Sequence, residues 1–253
     1  MGFCDQQGED SLKITVLGID FDNLTLQEAV AAGMEILMGT ESRYAVTPNP
    51  EIIKLAQENP ALSQAIAAAA LTLPDGIGVI KAAKILGTPL KSKVPGIDFA
   101  AGLMAQIAVT GHRLYLVGAK PGIAEIAAQK LIEQSPGLHI CGWRDGYFPD
   151  TDSEAVAAEI RQCGADVCFV CLGSPRQELW MRQHGTATGA KLLIGLGGSL
   201  DVFSGTLKRA PAWMQKAGLE WLYRLIKEPQ RFGRMMKIPG VILQAYGERG
   251  RRK

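Results

Sequence analysis

Short apolar, β-prone runs alternate with helical patterns through the first two hundred residues, and this alternation restricts the possible folds more than any other feature of the chain. Strand candidates are residues 13–19 (KITVLGI), 43–47 (RYAVT), 71–73 (LTL), 112–118 (HRLYLVG), 138–143 (LHICGW), 166–173 (DVCFVCLG) and 191–197 (KLLIGLG). Between them lie segments of helical spacing such as TLQEAVAAGMEILM, GIAEIAAQKLIEQ and SEAVAAEIRQ. Thr25 and Glu28 have the spacing of a capping box, and Ser153 is placed to cap the helix that follows it. Strand and helix in alternation predict an α/β fold with a largely parallel sheet covered by helices on both faces. From about Thr206 the strand pattern stops, and the rest reads as two or three short helices punctuated by Pro211, Gly218 and Pro229. The expected division is a core over residues 1–205 and a small helical appendage over 206–253.

A chain of 253 residues with 47% hydrophobic content can bury a sizeable core. No charge-free apolar run approaches the roughly 18 residues that cross a bilayer, and the first ten residues lack a basic stretch followed by an apolar one. The expectation is a cytoplasmic protein that touches a membrane without spanning it. Five cysteines, an odd number, argue against a secreted disulfide framework. Cys168 and Cys171 form a CxxC, but strand alternation sends positions three apart to opposite faces, which favours buried small hydrophobes over a metal or redox pair. The net charge of +2 hides an asymmetry: residues 1–206 carry 15 Lys/Arg against 22 Asp/Glu, whereas 207–253 carry 12 against 3. A basic segment on an acidic body calls for an anionic partner, whether phosphate, nucleic acid or lipid surface. Its apolar residues, among them Trp213, Met214, Trp221 and Leu225, fit a helical stripe flanked by Lys and Arg. That composition suits a helix at a membrane interface and, equally, a surface helix packed on the body.

In open parallel sheets ligands bind at the carboxyl ends of the strands. The stretches expected there are TPNPE, PDG, GAKPG, GSPRQE and GGSLDVFSG, rich in Gly, Pro and polar residues, with a helix opening soon after most of them. Free backbone N–H groups at helix starts suit a phosphate-bearing ligand. No G-x-G-x-x-G and no Walker loop is present, which argues against a dehydrogenase or NTPase, and His112, His139 and His184 are too scattered for a metal site or a catalytic triad. Asp20 and Asp22 match a D-x-D metal chelator superficially, but a strand-exit turn before a capped helix explains them as well. Asp75 is the better acid: it follows an apolar strand, Pro74 fixes its approach and Gly76 frees the backbone behind it. A carboxylate there can work as a general base, or it can cap the helix IGVIKAAKIL. Arg224, Arg231 and Arg234 are spaced to share one helical face that could neutralise a diphosphate, although Pro229 can bend it, and a solvated or lipid-facing charge run explains them too.

Seven motifs, TPNPE, LPDGIGV with VPGIDF, LVGAKPG, GYF, LGSPRQE, GLGGSLDVFSG and KRAPAWMQKAGLEWLYRLIKEPQR, occur in the order of the WecG/TagA/CpsF family, glycosyltransferase family 26, which the chain resembles from about residue 13 to 240. The resemblance implies a Rossmann-like core with a C-terminal appendage that reaches the membrane, and inverting, metal-independent transfer without a cofactor. The implied donor is a UDP-sugar and the implied acceptor a polyprenyl-diphosphate-linked sugar. UDP-N-acetylmannosamine and undecaprenyl-diphosphate-N-acetylglucosamine, joined β-1,4 for wall teichoic acid or a related envelope polymer, form the leading pair, with UDP-N-acetylmannosaminuronic acid and UDP-glucose as other donors. By motif, Asp75 is the implied base with Thr47 beside it as a second catalytic residue. Asn49, Gly76, Gly118, Gln177, Arg224, Arg231 and Arg234 are implied to bind donor or acceptor. The family also implies a core able to form a homo-oligomer. Two readings from other classes are an NAD(P)-binding oxidoreductase, disfavoured by the missing fingerprint, and a nucleic-acid binder using the basic tail; the family resemblance implies no nucleic-acid partner.

Overall fold

The first departure from the expected strands comes at once. The stretch expected as one strand over residues 13–19 is instead part of a hairpin over residues 13–22, β1 (Lys13–Val16) and β2 (Ile19–Asp22), antiparallel and separate from the main sheet. Leu17 and Gly18 turn the chain with φ of +51° and +89°, and two successive positive φ values suit a two-residue hairpin loop. Leu17 hides this turn from a reading of residue types, because β-turns of that kind ordinarily carry Asn, Asp or Gly. The DFD acids therefore lie in a strand rather than in an exit turn. Asp22 is buried, and its carboxylate accepts the Thr72 backbone N–H at 2.7 Å.

The computed structural model describes residues 13–217, 219–227 and 237–251. After the hairpin come α1 (Leu26–Met38), β3 (Arg43–Val46), α2 (Pro50–Glu58), α3 (Pro60–Ala67), β4 (Leu71–Thr72), α4 (Ile77–Leu86) and α5 (Gly96–Thr110). Then follow β5 (Arg113–Gly118), α6 (Ile123–Gln134), β6 (His139–Arg144), α7 (Ser153–Gln162), β7 (Val167–Cys171), α8 (Arg176–His184), β8 (Leu192–Gly195) and α9 (Ser199–Phe203). The basic end contributes α10 (Ala212–Lys216), α11 (Glu220–Lys227) and α12 (Lys237–Arg251). The main sheet has six parallel strands in the order β4-β3-β8-β7-β5-β6, flanked by helices as the alternation predicts.

Burial on both faces explains why the central strands read as unbroken apolar runs. Along β7, Val167, Phe169 and Cys171 pack into one core layer with α1, α5, α6 and α9, while Cys168 and Val170 pack into the other with α2, α3, α4, α7 and α8. The two CxxC cysteines thus face opposite sides. Burial pushes the Cys171 thiol up to about 12 and raises Cys168 well above the usual thiol range, so neither is a reactive thiolate at neutral pH. The Thr25–Glu28 capping box forms as expected. Ser153 does not cap α7: a 3-10 turn at Asp150–Asp152 moves the cap position to Asp152 and leaves Ser153 buried as the first helical residue.

The last helix is part of the core. α12 packs on α4 and α2, Val241 and Ala245 are fully buried, and the Gln244 side chain meets Lys54 of α2. Its other side leaves Leu243 and Tyr246 exposed. Among the described residues, no helix is long and apolar enough to cross a membrane.

The Asp22 contact holds the edge strand β4 and, through it, the segment that carries Asp75. Asp22→Ala leaves a buried N–H without its acceptor, which should lower the unfolding free energy by about 1–3 kcal/mol. Urea denaturation of the two proteins measures this.

Candidate active site

The connections after β5 and β7 leave their strands in opposite directions, to β6 on one side and to β8 on the other. Such a reversal opens a crevice at the carboxyl ends of the two strands. A polar cavity of about 460 Å³ lies there, lined by Ala119 and Lys120 after β5, Leu172 to Ser174 after β7 and Gly197 after β8. A smaller cavity of about 160 Å³ adjoins it, walled by Ile77, Lys93, Ile97, Glu220 and Trp221. Thr47, Asn49, Glu51, Asp75, Leu196 and Gly198 line both. The two cavities are lobes of one cleft, and Asp75 stands where they meet.

Hydrogen bonds fix that position by continuing the sheet pairing past the strand ends. Leu73 N–H donates to the Val46 carbonyl at 2.9 Å and Asp75 N–H to the Pro48 carbonyl at 3.2 Å, while Val94 N–H donates to the Pro74 carbonyl at 2.8 Å. The TPN, PDG and VPG loops are thereby laced together. The cap position of α4 falls on Gly76, whose φ of +94° is one that side-chain-bearing residues rarely adopt.

Thr47 and Asn49 have structural duties as well as cleft surface. The buried Thr47 hydroxyl donates to the Gly195 carbonyl at 3.2 Å, leaving its oxygen able only to accept from a ligand. The Asn49 side-chain oxygen caps α2 by accepting from Ile52 N–H, so its amide NH₂ is the half that can address a ligand. Gln177 is buried in the first turn of α8. Its oxygen accepts Gly197 N–H at 2.9 Å and its nitrogen donates to Glu178 at 2.9 Å, which settles the orientation of the amide and holds the loop after β8.

Gly118 lies beneath the lining rather than on it. A Cβ there would sit 2.3 Å from the Cys171 carbonyl oxygen, so only glycine lets β5 and β7 approach so closely. The neighbouring Ala119, with φ of +60°, and Lys120 face the polar lobe instead. Of the three appendage arginines, Arg224 lies in α11, and Arg231 and Arg234 fall outside the described residues.

Residue types and motifs left several lining groups unmarked. Glu51, Lys120 and Asp201 lie inside stretches already recognised as strand-end loops, but nothing in the spacing singles them out. Glu220 and Trp221 reach the cleft from the basic end of the chain, a juxtaposition that only folding supplies. Arg176, in the PRQE stretch, is a clamp: it donates to the Gly146 and Phe148 carbonyls and stacks its guanidinium 4.5 Å from the Phe148 ring centre. Arg176 thereby presents Tyr147, which is largely exposed, at the rim of the polar lobe.

The cleft is also ringed by helix starts. α2, α4, α5, α8, α9 and α11 each begin on its lining, so positive dipole ends converge there with Lys93 and Lys120 and offset the carboxylates of Glu51, Asp75, Asp201 and Glu220. Such a site suits phosphate oxygens. A carboxylate between a polar lobe and a lobe with an indole wall can take a proton as a group passes from a ligand in one to a ligand in the other.

A doubly covered parallel α/β sheet with two cavity lobes meeting at a carboxylate has a build that suits a group-transfer enzyme. Comparison with known proteins names the group: the glycosyl transferase WecG/TagA/CpsF family matches residues 14–253, and the chain belongs to that family. It is similar to an N-acetylglucosaminyldiphosphoundecaprenol N-acetyl-beta-D-mannosaminyltransferase of Bacillus spizizenii, 37% identical over 78% of this chain and 76% of the relative. A protein of the same name from Staphylococcus aureus strain MRSA252 is 33% identical over 92% of both chains.

Glu178 offers a check on this framework. Its burial raises its pKa above the usual carboxylate value, so the folded protein holds the proton more tightly than the unfolded chain. Its contribution therefore favours folding most at low pH and is lost as pH rises through the folded pKa. Glu178→Gln, which cannot ionise, should gain stability relative to the parent between pH 4 and pH 8, as measured by urea unfolding at the two pH values.

Proposed function

We propose that the protein transfers N-acetylmannosamine from a UDP donor to the 4-hydroxyl of undecaprenyl-diphosphate-linked N-acetylglucosamine, forming a β-1,4 linkage in the synthesis of a bacterial cell-envelope polymer. The names of its relatives support the sugar and the acceptor. The observation that carries the mechanism is the placement of Asp75 between the two lobes.

The nucleotide diphosphate occupies the polar lobe, among helix starts and Lys120, with the exposed Tyr147 ring offering a face to the base. The acceptor sugar occupies the smaller lobe against Trp221, whose indole face suits a sugar ring. Asp75 takes the proton of the acceptor hydroxyl as its oxygen attacks C1 of the donor sugar from the side opposite the diphosphate. The C1–O bond to the diphosphate breaks, its electron pair leaves with UDP, and the configuration at C1 inverts. Charge building on the leaving diphosphate is met by Lys120, backbone N–H groups and the appendage arginines, without a metal ion. Arg224, Arg231 and Arg234 are assigned to this role by motif.

Asp75→Asn should lower kcat by about 10²-fold or more while donor affinity and melting temperature stay close to the parent's. Glu51, the other acid shared by both lobes, is the control. A larger loss in Glu51→Gln, or near-parental turnover in Asp75→Asn, would move the base away from Asp75. The assay pairs a short-chain lipid-diphosphate-N-acetylglucosamine with UDP-N-acetylmannosamine, UDP-N-acetylmannosaminuronic acid or UDP-glucose, with EDTA present, and reads products by mass spectrometry. Product from the first donor alone is expected.

The basic end meets the cytoplasmic face of the cell membrane in this reading. Trp213 and Ile226, 64% and 66% exposed, lie in a segment whose Lys and Arg each add about 1 kcal/mol of attraction to an anionic surface. Substituting both by Glu should sharply reduce cosedimentation with anionic vesicles; unchanged pelleting would exclude this face as the contact.

A further inference from the structure

Two of the residues that wall the smaller lobe, Glu220 and Trp221, open α11, so the shape of the lobe depends on where that helix is held. Arg209 stands between α11 and the core. Its two terminal nitrogens donate to the two carboxylate oxygens of Asp98 in the first turn of α5, one of them at 3.0 Å, and its Nε faces Glu220 at 3.4 Å. The three side chains keep only 20–31% of their exposure, where ion pairs are screened less than at a free surface. A second tie runs in parallel: Lys93, on the lobe wall, donates to the Gln215 carbonyl of α10 at 3.2 Å. Both ties end on residues 93–98, the segment that also lines the lobe through Lys93, Gly96 and Ile97.

We propose that Arg209 is a positioning residue for acceptor binding, an ion-pair latch that docks the start of α11 on α5 and so places Trp221 and Glu220 in the wall of the acceptor lobe. This rests on the assignment of the acceptor to that lobe. The planar guanidinium reaches Asp98 with both terminal nitrogens while its Nε serves Glu220, an arrangement that a lysine ammonium cannot reproduce. The latch also balances charge. Glu220 lines the lobe assigned to a diphosphate-bearing acceptor, and the guanidinium beside it offsets its negative charge. Arg209 lines neither lobe, but Glu220 and Trp221, whose helix it holds, line only the smaller one, so its loss should fall on the acceptor and spare the donor.

The test uses the full chain as Arg209→Ala, Arg209→Lys and the exchange Asp98→Arg with Arg209→Asp. Hydrogen exchange of the backbone amides at 220–227, without substrate, reads the latch; KM for the short-chain acceptor and for the UDP-sugar reads its consequence. In Arg209→Ala, exchange in α11 should quicken by about tenfold or more and acceptor KM should rise about tenfold, with donor KM within about twofold. Arg209→Lys should fall between, and the exchanged pair should recover part of both effects. Unchanged exchange in Arg209→Ala would overturn the latch, and quickened exchange with unchanged acceptor KM would overturn its role in the lobe. If Arg209→Ala does not fold, parental exchange and kinetics in Arg209→Lys would overturn the proposal. A parent enzyme inactive on the lipid-linked sugar would instead refute the acceptor assignment, and the exchange measurement would still decide the latch.

Discussion

The cleft depends on hydrogen bonds that carry the parallel sheet beyond the ends of its strands. Parallel strands diverge where their connections reverse, and without further ties the loops leaving them would splay apart. Here they are laced across the whole edge. Gly146 N–H donates to the Ala119 carbonyl, Ala119 N–H to Cys171, Leu196 N–H to Val170, and the Thr47 hydroxyl to Gly195. Leu73 and Asp75 continue the series on the far side. A lining built this way is tied to the sheet, and fixed placement is what a carboxylate needs if it is to meet a reacting hydroxyl at hydrogen-bond distance.

Crowding and charge follow from the same construction. Because β5 and β7 touch backbone to backbone at Gly118, the next residues, Ala119 and Lys120, are turned into the crevice. Because every loop leaving the sheet edge runs into a helix or towards one, the crevice collects N-terminal dipole ends and the N–H groups that helices leave unpaired in their first turn. Gln177 works between these levels: its amide belongs to the first turn of α8, yet it holds Gly197 of the loop after β8. Cleft-lining and supporting residues are therefore interleaved along the same short motifs.

The alternation of strand and helix made the doubly covered parallel sheet legible, and loop composition made its carboxyl edge the place to look. Asp75, Thr47, Asn49 and Gln177 were recognisable as cleft-lining residues because they stand in odd, compact motifs next to strand ends. The hairpin at residues 13–22 was not, because its turn uses Leu17 at a positive φ that the residue type does not announce. Ser153 was misplaced as a cap because a 3-10 turn takes up the chain just ahead of it. Gly118 stood in a binding motif for a reason that composition could not separate from ligand contact: its missing side chain makes room for another strand's carbonyl.

By itself the sequence determined the strands of the main sheet, the order of the motifs and the charge of each segment, since these follow from residue type, local periodicity and covalent order. Tertiary structure decided which distant residues share a surface. Val241 and Ala245 of the basic end enter the core beside α4, Trp221 becomes a wall of the cleft, and Arg209 finds Asp98. Such partners lie far apart along the chain, and no local propensity encodes a contact that exists only once separate elements have packed.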